Sequence, residues 1–148
     1  MVRASLLDVN ALIALVWSGH PHHQACRNWF EQNHSQGWAT CAISEAGFVR
    51  VVSSPAFAAR HATVHEAIEM LKRLKASVSG HSFWNDDLSI EELADHWQPP
   101  LGNKQVTDAY LLSLAMENKG TLVTFDQAIS SLAGRANLAS ATLLVLNA

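Results

Sequence analysis

Two aspartates follow apolar runs and are placed where a parallel sheet binds ligands. Asp8 comes directly after Ser5-Leu6-Leu7, and Asp126 comes directly after Leu122-Val123-Thr124-Phe125. Each is predicted to lie at the carboxyl end of a buried strand, and open α/β sheets bind their ligands at that edge. If the two strands are neighbours, both carboxylates reach the same rim of the sheet.

Two further acids stand near the starts of predicted helices. Glu45 follows Ser44, which is a good N-cap, and Asp108 lies in the first turns of the helix that contains Val106-Thr107-Asp108-Ala109. Taken singly, Glu45 and Asp108 are explained by the favourable position of an acid at a helix N-terminus. Asp8 alone is explained equally well by N-capping of the first helix. The combination of the four favours convergence on one rim.

Carboxylates that lie close together need a proton or a cation to balance their charge. They repel each other, and one of them takes up a proton unless a cation joins them. An all-oxygen site with several waters is the kind that Mg²⁺ or Mn²⁺ prefers. Such an ion polarises a phosphodiester and lowers the pKa of a bound water. The four acids therefore predict hydrolytic phosphoryl chemistry that needs no protein nucleophile.

Alternating apolar runs and amphipathic segments predict the elements that would position these acids. The pattern favours a mostly parallel sheet of about five strands with helices on both sides, an α/β three-layer fold. The predicted strands are residues 4–7, 38–43, 81–84, 121–124 and 142–146. The predicted helices begin at residue 9 and at Ser44, or span 22–34, 63–74, 90–97, 103–118 and 127–132.

Composition limits the class of protein. The 148 residues, 49% of them hydrophobic, suit one domain over residues 1–148. Two cysteines are too few for a disulfide framework, and no apolar run is long enough to cross a bilayer, so we expect a cytoplasmic protein. The net charge of −3 means that binding of nucleic acid would depend on local patches, on metal ions or on a second subunit.

Four segments resemble one known family. They are LDVNALIAL at residues 7–15, SEAGFVRV at residues 44–51, VTDAYL at residues 106–111 and LVTFD at residues 122–126. In this order and over nearly the whole chain, they resemble the PIN-domain family, and within it the VapC toxins of prokaryotic toxin–antitoxin pairs.

The resemblance implies a function and partners. It implies a PIN-like fold and an Mg²⁺- or Mn²⁺-dependent endoribonuclease that cleaves structured RNA such as tRNA or rRNA. It implies that Asp8, Glu45, Asp108 and Asp126 form the acidic pocket. VapC-like proteins tend to form homodimers, and a VapB-like antitoxin lays a C-terminal segment across the pocket, which gives a heterotetramer or a larger complex.

Other residues near these motifs have two interpretations each. Asn10 and Thr124 orient an acid or a water, or they cap a helix or a turn. Asn10 also stands where related enzymes sometimes have a second acid, which leaves the number of metal ions open. Arg50, on the helix of Glu45, is a candidate phosphate contact, and Phe57 is a candidate contact for RNA or antitoxin.

Three alternatives compete with the nuclease hypothesis. His20, His22, His23 and Cys26 suggest zinc, although nothing else completes a tetrahedral set, and a structural loop explains them. A phosphatase of the haloacid-dehalogenase type would need a second aspartate two positions after Asp8, where this chain has asparagine. A PIN-like fold kept only as a binding module is the non-enzymatic alternative.

Overall fold

The computed structural model describes residues 3–93, 97, 101–135 and 142–147. Its centre is one five-stranded sheet in which all neighbouring strands are parallel. The strands are β1 (Ser5–Leu7), β2 (Trp38–Cys41), β3 (His81–Trp84), β4 (Thr121–Thr124) and β5 (Leu143–Val145), in the order β3-β2-β1-β4-β5.

Helices connect and cover the strands. They are α1 (Val9–Val16), α2 (His23–Asn33), α3 (Ala42–Val52), α4 (Val64–Ser77), α5 (Val106–Glu117) and α6 (Ala128–Arg135). Short 3₁₀ turns occupy His34–Gln36, Ile90–Glu92 and Asn103–Gln105. Within the described ranges, no helix combines the length and apolar character needed to cross a membrane.

The alternation of side chains along the strands produces two apolar layers. Leu6 packs with the cluster that includes α5, whereas the next residue, Leu7, packs with the cluster formed by α1, α2, α3 and α4. Leu122 and Val123 of β4 divide between the two clusters in the same way. The predicted α/β three-layer architecture with a parallel five-stranded sheet is therefore confirmed.

Strand order creates a crevice at one edge of the sheet. The chain runs from β1 outward to β2 and β3, and then returns to the other side of β1 with β4 and β5. The order therefore reverses between β1 and β4, which is where parallel α/β sheets bind ligands. Asp8 begins the connection after β1, and its amide donates to the Val123 carbonyl at 2.9 Å.

Several predicted boundaries were wrong, the most consequential at the second strand. That strand ends at Cys41 rather than residue 43, and α3 already begins at Ala42. Cys41, not Ser44, is the N-cap, and the buried Ser44 hydroxyl accepts from the Cys41 amide at 3.0 Å. Ser44 therefore caps the helix from inside its first turn. Glu45 is the fourth residue of α3 rather than the first residue after the cap.

The remaining helix predictions differ from the structure at their ends. The predicted helix 103–118 divides into a 3₁₀ turn and α5, the helix predicted at 63–74 continues to Ser77, and the one predicted at 127–132 continues to Arg135. Of the predicted helix 90–97, Ile90–Glu92 is a 3₁₀ turn, and residues 94–96 lie outside the described residues.

The start of α4 is fixed by a reciprocal cap. The Thr63 hydroxyl accepts from the Glu66 amide, and the Glu66 carboxylate accepts from the Thr63 amide, both at 3.0 Å. We expect Thr63→Ala to lower the free energy of unfolding by about 1 kcal/mol, because one amide of the first turn loses its partner. Urea unfolding measures this, with Thr107→Ala on the exposed face of α5 as the control. An equal loss in both variants would contradict the capping explanation.

Candidate active site

Asp8 is held rigidly at the junction of β1 and α1. Only 6% of the residue is exposed. Its Oδ1 accepts from the Val9 amide at 2.7 Å, and its Oδ2 accepts from the Thr124 hydroxyl at 2.9 Å. Burial raises the pKa of the carboxyl, the two hydrogen bonds partly oppose this, and the charge of Asp126 adds to the rise. Asp8 is thus the N-cap of α1 as well as an acid at the sheet edge.

Thr124 is the hub of the polar contacts at this edge. Its buried hydroxyl donates to Asp8 and accepts from the Asn10 side-chain amide at 3.2 Å and from the Asp126 backbone amide at 3.0 Å. The Asn10 carbonyl oxygen in turn accepts from the Phe125 amide at 3.1 Å. Asn10 and Thr124 thereby tie the end of β4 to the start of α1, and they fix the orientation of Asp8.

Asp126 and Asp108 complete a group of like charges around Asp8. Asp126 follows β4, and its Oδ1 accepts from the Ala128 amide at 2.9 Å at the start of α6. Asp108 is half-buried in the first turn of α5. Its pKa is raised to about 6, mainly by desolvation and then by the charges of Asp8 and Asp126. These three aspartates are distant in sequence, but their charges interact with one another in the folded protein.

Glu45 has partners of its own. Its Oε2 accepts from the Thr40 hydroxyl at 2.5 Å and forms an ion pair with Lys75 Nζ of α4. The carboxylates that raise the pKa of Asp108 are Asp8 and Asp126, whereas the charge of Glu45 is already balanced by Lys75. The structure thus brings three of the four predicted acids together and turns the fourth toward α4.

The two predicted contact residues lie beside a groove. Arg50 is exposed and lines a groove of about 1100 Å³ between α3 and α4, with apolar side chains from both helices and from β3. Phe57 is half-buried, and its ring packs edge-on against Trp17 with centroids 4.9 Å apart. Phe57 and Arg50 also line a smaller pocket together.

The histidine-rich segment has structural partners. His23 Nδ1 donates to the Ala14 carbonyl at 2.7 Å, and the buried Cys26 thiol donates to the Ala11 carbonyl at 3.4 Å. The ring of His22 stacks on Phe125 with centroids 4.6 Å apart. These contacts join α2 to α1 and to the end of β4, so they support the structural interpretation of the segment rather than a zinc site.

The aspartates have the donor chemistry of a magnesium or manganese site. All their ligand atoms are carboxylate oxygens, and the pKa values of Asp8 and Asp108 are raised mainly by desolvation and further by neighbouring aspartates, both of which a divalent cation would offset. As the side chains are oriented, the described part of the chain contains no group of three His, Cys, Asp or Glu residues that could hold a metal ion.

Sequence reasoning missed the surroundings of Glu45. Thr40 is buried in β2, and its hydroxyl lies 2.8 Å from His81 Nε2 of the neighbouring strand. Its polarity within an otherwise apolar strand was a usable signal, because a buried hydroxyl needs a partner. The pairing of Lys75 with Glu45 had no signal in the sequence, since it depends on how α4 lies beside α3.

Comparison with known proteins gives a consistent result. The PIN domain family model matches residues 5–135. Ribonuclease VapC38 of Mycobacterium tuberculosis is 46% identical over 129 residues, covering 87% of this chain and 89% of that protein. Ribonuclease VapC29 of the same species is 39% identical over 132 residues, covering 87% and 90%.

A solved structure agrees at the level of the fold. The crystal structure of VapBC2 from Rickettsia felis, bound to a DNA fragment from its promoter, contains a chain that matches with a TM-score of 0.64 and 16% identity. The match covers 97% of this chain and 99% of that chain. The chain therefore belongs to the PIN-domain family and, within it, to the VapC group.

Proposed function

We propose that this protein is a metal-dependent endoribonuclease that acts as the toxin of a VapBC-type pair in the cytoplasm. The main support for the proposal is that the charges of Asp8, Asp108 and Asp126 interact at the crevice between β1 and β4. The similar proteins named VapC ribonucleases supply the reaction class.

The proposed cofactor is Mg²⁺ or Mn²⁺, held by Asp8 and Asp108, by Asp126 directly or through water, and by Glu45 once its carboxylate turns inward. When bound, such an ion polarises the phosphodiester and lowers the pKa of an attacking water. Thr124 and Asn10 keep Asp8 oriented through the hydrogen bonds described above. Their role is to hold one ligand in place while substrate and water exchange.

The proposed substrate is a structured RNA such as tRNA or rRNA. The net charge of −3 leaves phosphate contacts to local basic groups, and Arg50 and Lys72 both line the groove between α3 and α4. Incubating the purified protein with total cellular RNA and sequencing the new RNA ends would identify the target. Cleavage with Mg²⁺ or Mn²⁺ that stops in EDTA supports the proposal.

The same preparation tests the competing functions. Turnover of a chromogenic phosphomonoester without RNA cleavage would identify a phosphatase. Absence of cleavage on every cellular RNA, with either metal ion, would favour the non-catalytic binding module. Sedimentation of the protein alone and with its antitoxin would test the proposed homodimer and the larger complex.

We propose that a segment of a VapB-like antitoxin binds in the groove between α3 and α4. Exposed Val64, Ile68 and Phe83 give it an apolar floor, and 48% of Ile68 and 49% of Phe83 are exposed. Arg50 and Lys72 give it a basic rim. An amphipathic helix with acidic flanks complements both features, and it would lie beside Glu45 at the end of the groove.

Replacing one apolar residue of the groove by a charged residue should weaken the binding of the antitoxin. We expect Ile68→Asp to weaken antitoxin binding by at least about tenfold, since a carboxylate would lose its hydration in the apolar contact. The variant should fold, because Ile68 is half exposed in the free protein. Co-expression with the antitoxin, followed by affinity measurement, checks the result. Ile90→Asp, at an exposed apolar site outside the groove, should bind normally, and equal losses in both variants would refute this location.

A further inference from the structure

Glu45 differs from the three aspartates in being neutralised by a cation of the protein itself. The Glu45 Oε2 atom accepts a hydrogen bond from the Thr40 hydroxyl at 2.5 Å and forms an ion pair with the ammonium of Lys75. A carboxylate oxygen that already has two such donors is a poor ligand until one of them leaves, because a metal ion and an ammonium compete for the same lone pairs.

The hydrogen bonds behind Glu45 have a defined direction. A carboxylate only accepts, so the single hydrogen of the Thr40 hydroxyl points to Glu45. The Thr40 oxygen must then accept from His81 Nε2, which lies 2.8 Å away. Desolvation lowers the pKa of His81, which is consistent with a neutral ring that carries its hydrogen on Nε2. A fixed donor chain therefore runs from β3 through β2 to Glu45.

Lys75 is the part of this arrangement that can move. Thr40 is fully buried in β2, and the ring of His81 packs on Trp38 with centroids 4.6 Å apart, so both are fixed by the sheet. Lys75 is on the last turn of α4, on a long flexible side chain, and its ammonium lies 5.9 Å from the centre of the Phe83 ring. Release of Lys75 therefore requires only a side-chain rotation at the edge of the groove.

We infer that Lys75 is a positioning residue that holds Glu45 apart from the aspartate cluster and thereby sets the affinity of the site for its divalent ion. The inference rests on the proposed function and goes beyond it, since it assigns a competitor for the ligand rather than another ligand. An ion that recruits Glu45 through Oε2 must displace Lys75, and an ion that binds Oε1 must share the charge of the carboxylate with the ammonium. The pairing thus makes ion binding weaker than four free carboxylates would make it.

The test is the affinity for Mn²⁺ in the absence of RNA, measured by calorimetry or from the electron paramagnetic resonance of free Mn²⁺. We expect Lys75→Met to bind Mn²⁺ about two- to fivefold more tightly than the wild type, the range set by one partly exposed ion pair. Lys75→Arg, which keeps the pair, should restore the wild-type affinity. Lys72→Met removes the same charge from the same helix and groove but does not pair with Glu45. A smaller change in this control separates the ion pair from the general loss of positive charge.

A double substitution decides whether Lys75 acts through Glu45. In a Glu45→Gln background, Lys75→Met should change Mn²⁺ affinity no more than Lys72→Met does, because the carboxylate for which Lys75 and the ion compete is no longer there. Equal affinities of the wild type and Lys75→Met, or an unchanged effect of Lys75→Met without Glu45, would overturn the inference while the proposed function stands. A wild-type protein that binds no Mn²⁺ and cuts no RNA would overturn both.

Discussion

Replacing Asp8 and Asp108 together by asparagine is expected to lower RNA cleavage by more than about a hundredfold while the protein remains folded. Loss of groups that merely orient a metal ligand already costs about 10- to 100-fold in metal affinity or activity. These two carboxylates would be ligands themselves, so their loss should have the larger effect. The rate of cleavage of the identified RNA, with Mg²⁺ in excess, measures it.

The fold should survive because asparagine can replace most of what Asp8 does locally. Asparagine is as good an N-cap as aspartate, so its side-chain oxygen can still accept from the Val9 amide at the start of α1. The Thr124 hydroxyl can turn its hydrogen to the Asn10 carbonyl oxygen, 3.3 Å away, and accept from the new amide group in place of the Asn10 amide. Among the residues that the structure describes, Asp108 is in no salt bridge that the change would break.

The matched control is Glu117→Gln, an exposed acid on the same helix as Asp108. It removes the same formal charge from α5 and should leave cleavage within about twofold of the wild type, as substitutions at such solvated positions usually do. Cleavage that persists in the doubly substituted protein, with normal circular dichroism, would show that the reaction does not use this edge of the sheet.

The position of the aspartates was predictable because it follows from topology. Residues that directly follow neighbouring parallel strands meet at one edge, and β1 and β4 are neighbours. The apolar runs before Asp8 and Asp126 were therefore sufficient to predict their proximity. For Asp108 the prediction depended on the combination of the four acids and on the resemblance, because the sequence does not show how α5 lies against the sheet.

The state of Glu45 was not predictable, because it depends on a contact between two helices. Its motif and its place near the start of α3 were recognised, but the ion pair with Lys75 joins residues 30 positions apart through packing of α3 and α4. Likewise, Ser44 has the residue type of an N-cap, yet the N-cap is three residues earlier, at Cys41. The Ser44 hydroxyl still bonds locally, to Cys41, whereas the ion pair of Glu45 is an interaction that the local sequence does not contain.

The metal-free protein should become more stable as the pH falls from 7, and Asp108 should be a main cause. The pKa of Asp108 is about 6 in the folded protein and close to 3.8 when unfolded. Between these values the folded state binds more protons than the unfolded state, so the free energy of unfolding falls as the pH rises through this window. At pH 7 the ionised, half-buried carboxylate costs about 1–2 kcal/mol, after a discount for solvent screening.

Comparison with Asp108→Asn isolates this contribution, because asparagine resembles the protonated acid at every pH. In EDTA at pH 7, the variant should be more stable than the wild type by about 1–2 kcal/mol, which for a chain of this size raises the midpoint of thermal unfolding by several degrees. At pH 4.5 the difference should fall to less than half, since both proteins then carry an uncharged group in the folded state. Chemical unfolding at the two pH values measures the difference.

Adding a divalent ion at pH 7 should reverse the ranking. The wild type gains stability because Mg²⁺ or Mn²⁺ binds only the folded protein, whereas the variant has lost a ligand and gains less. Asp108 would then change from a destabilising residue to a stabilising one with no change in the packing around it. A variant that is no more stable than the wild type in EDTA, or that gains as much from the ion, would mean that Asp108 is not part of a repulsive carboxylate cluster. The negative charge that desolvation and the neighbouring aspartates penalise in the free protein is thus the same charge that would bind the ion in the loaded one.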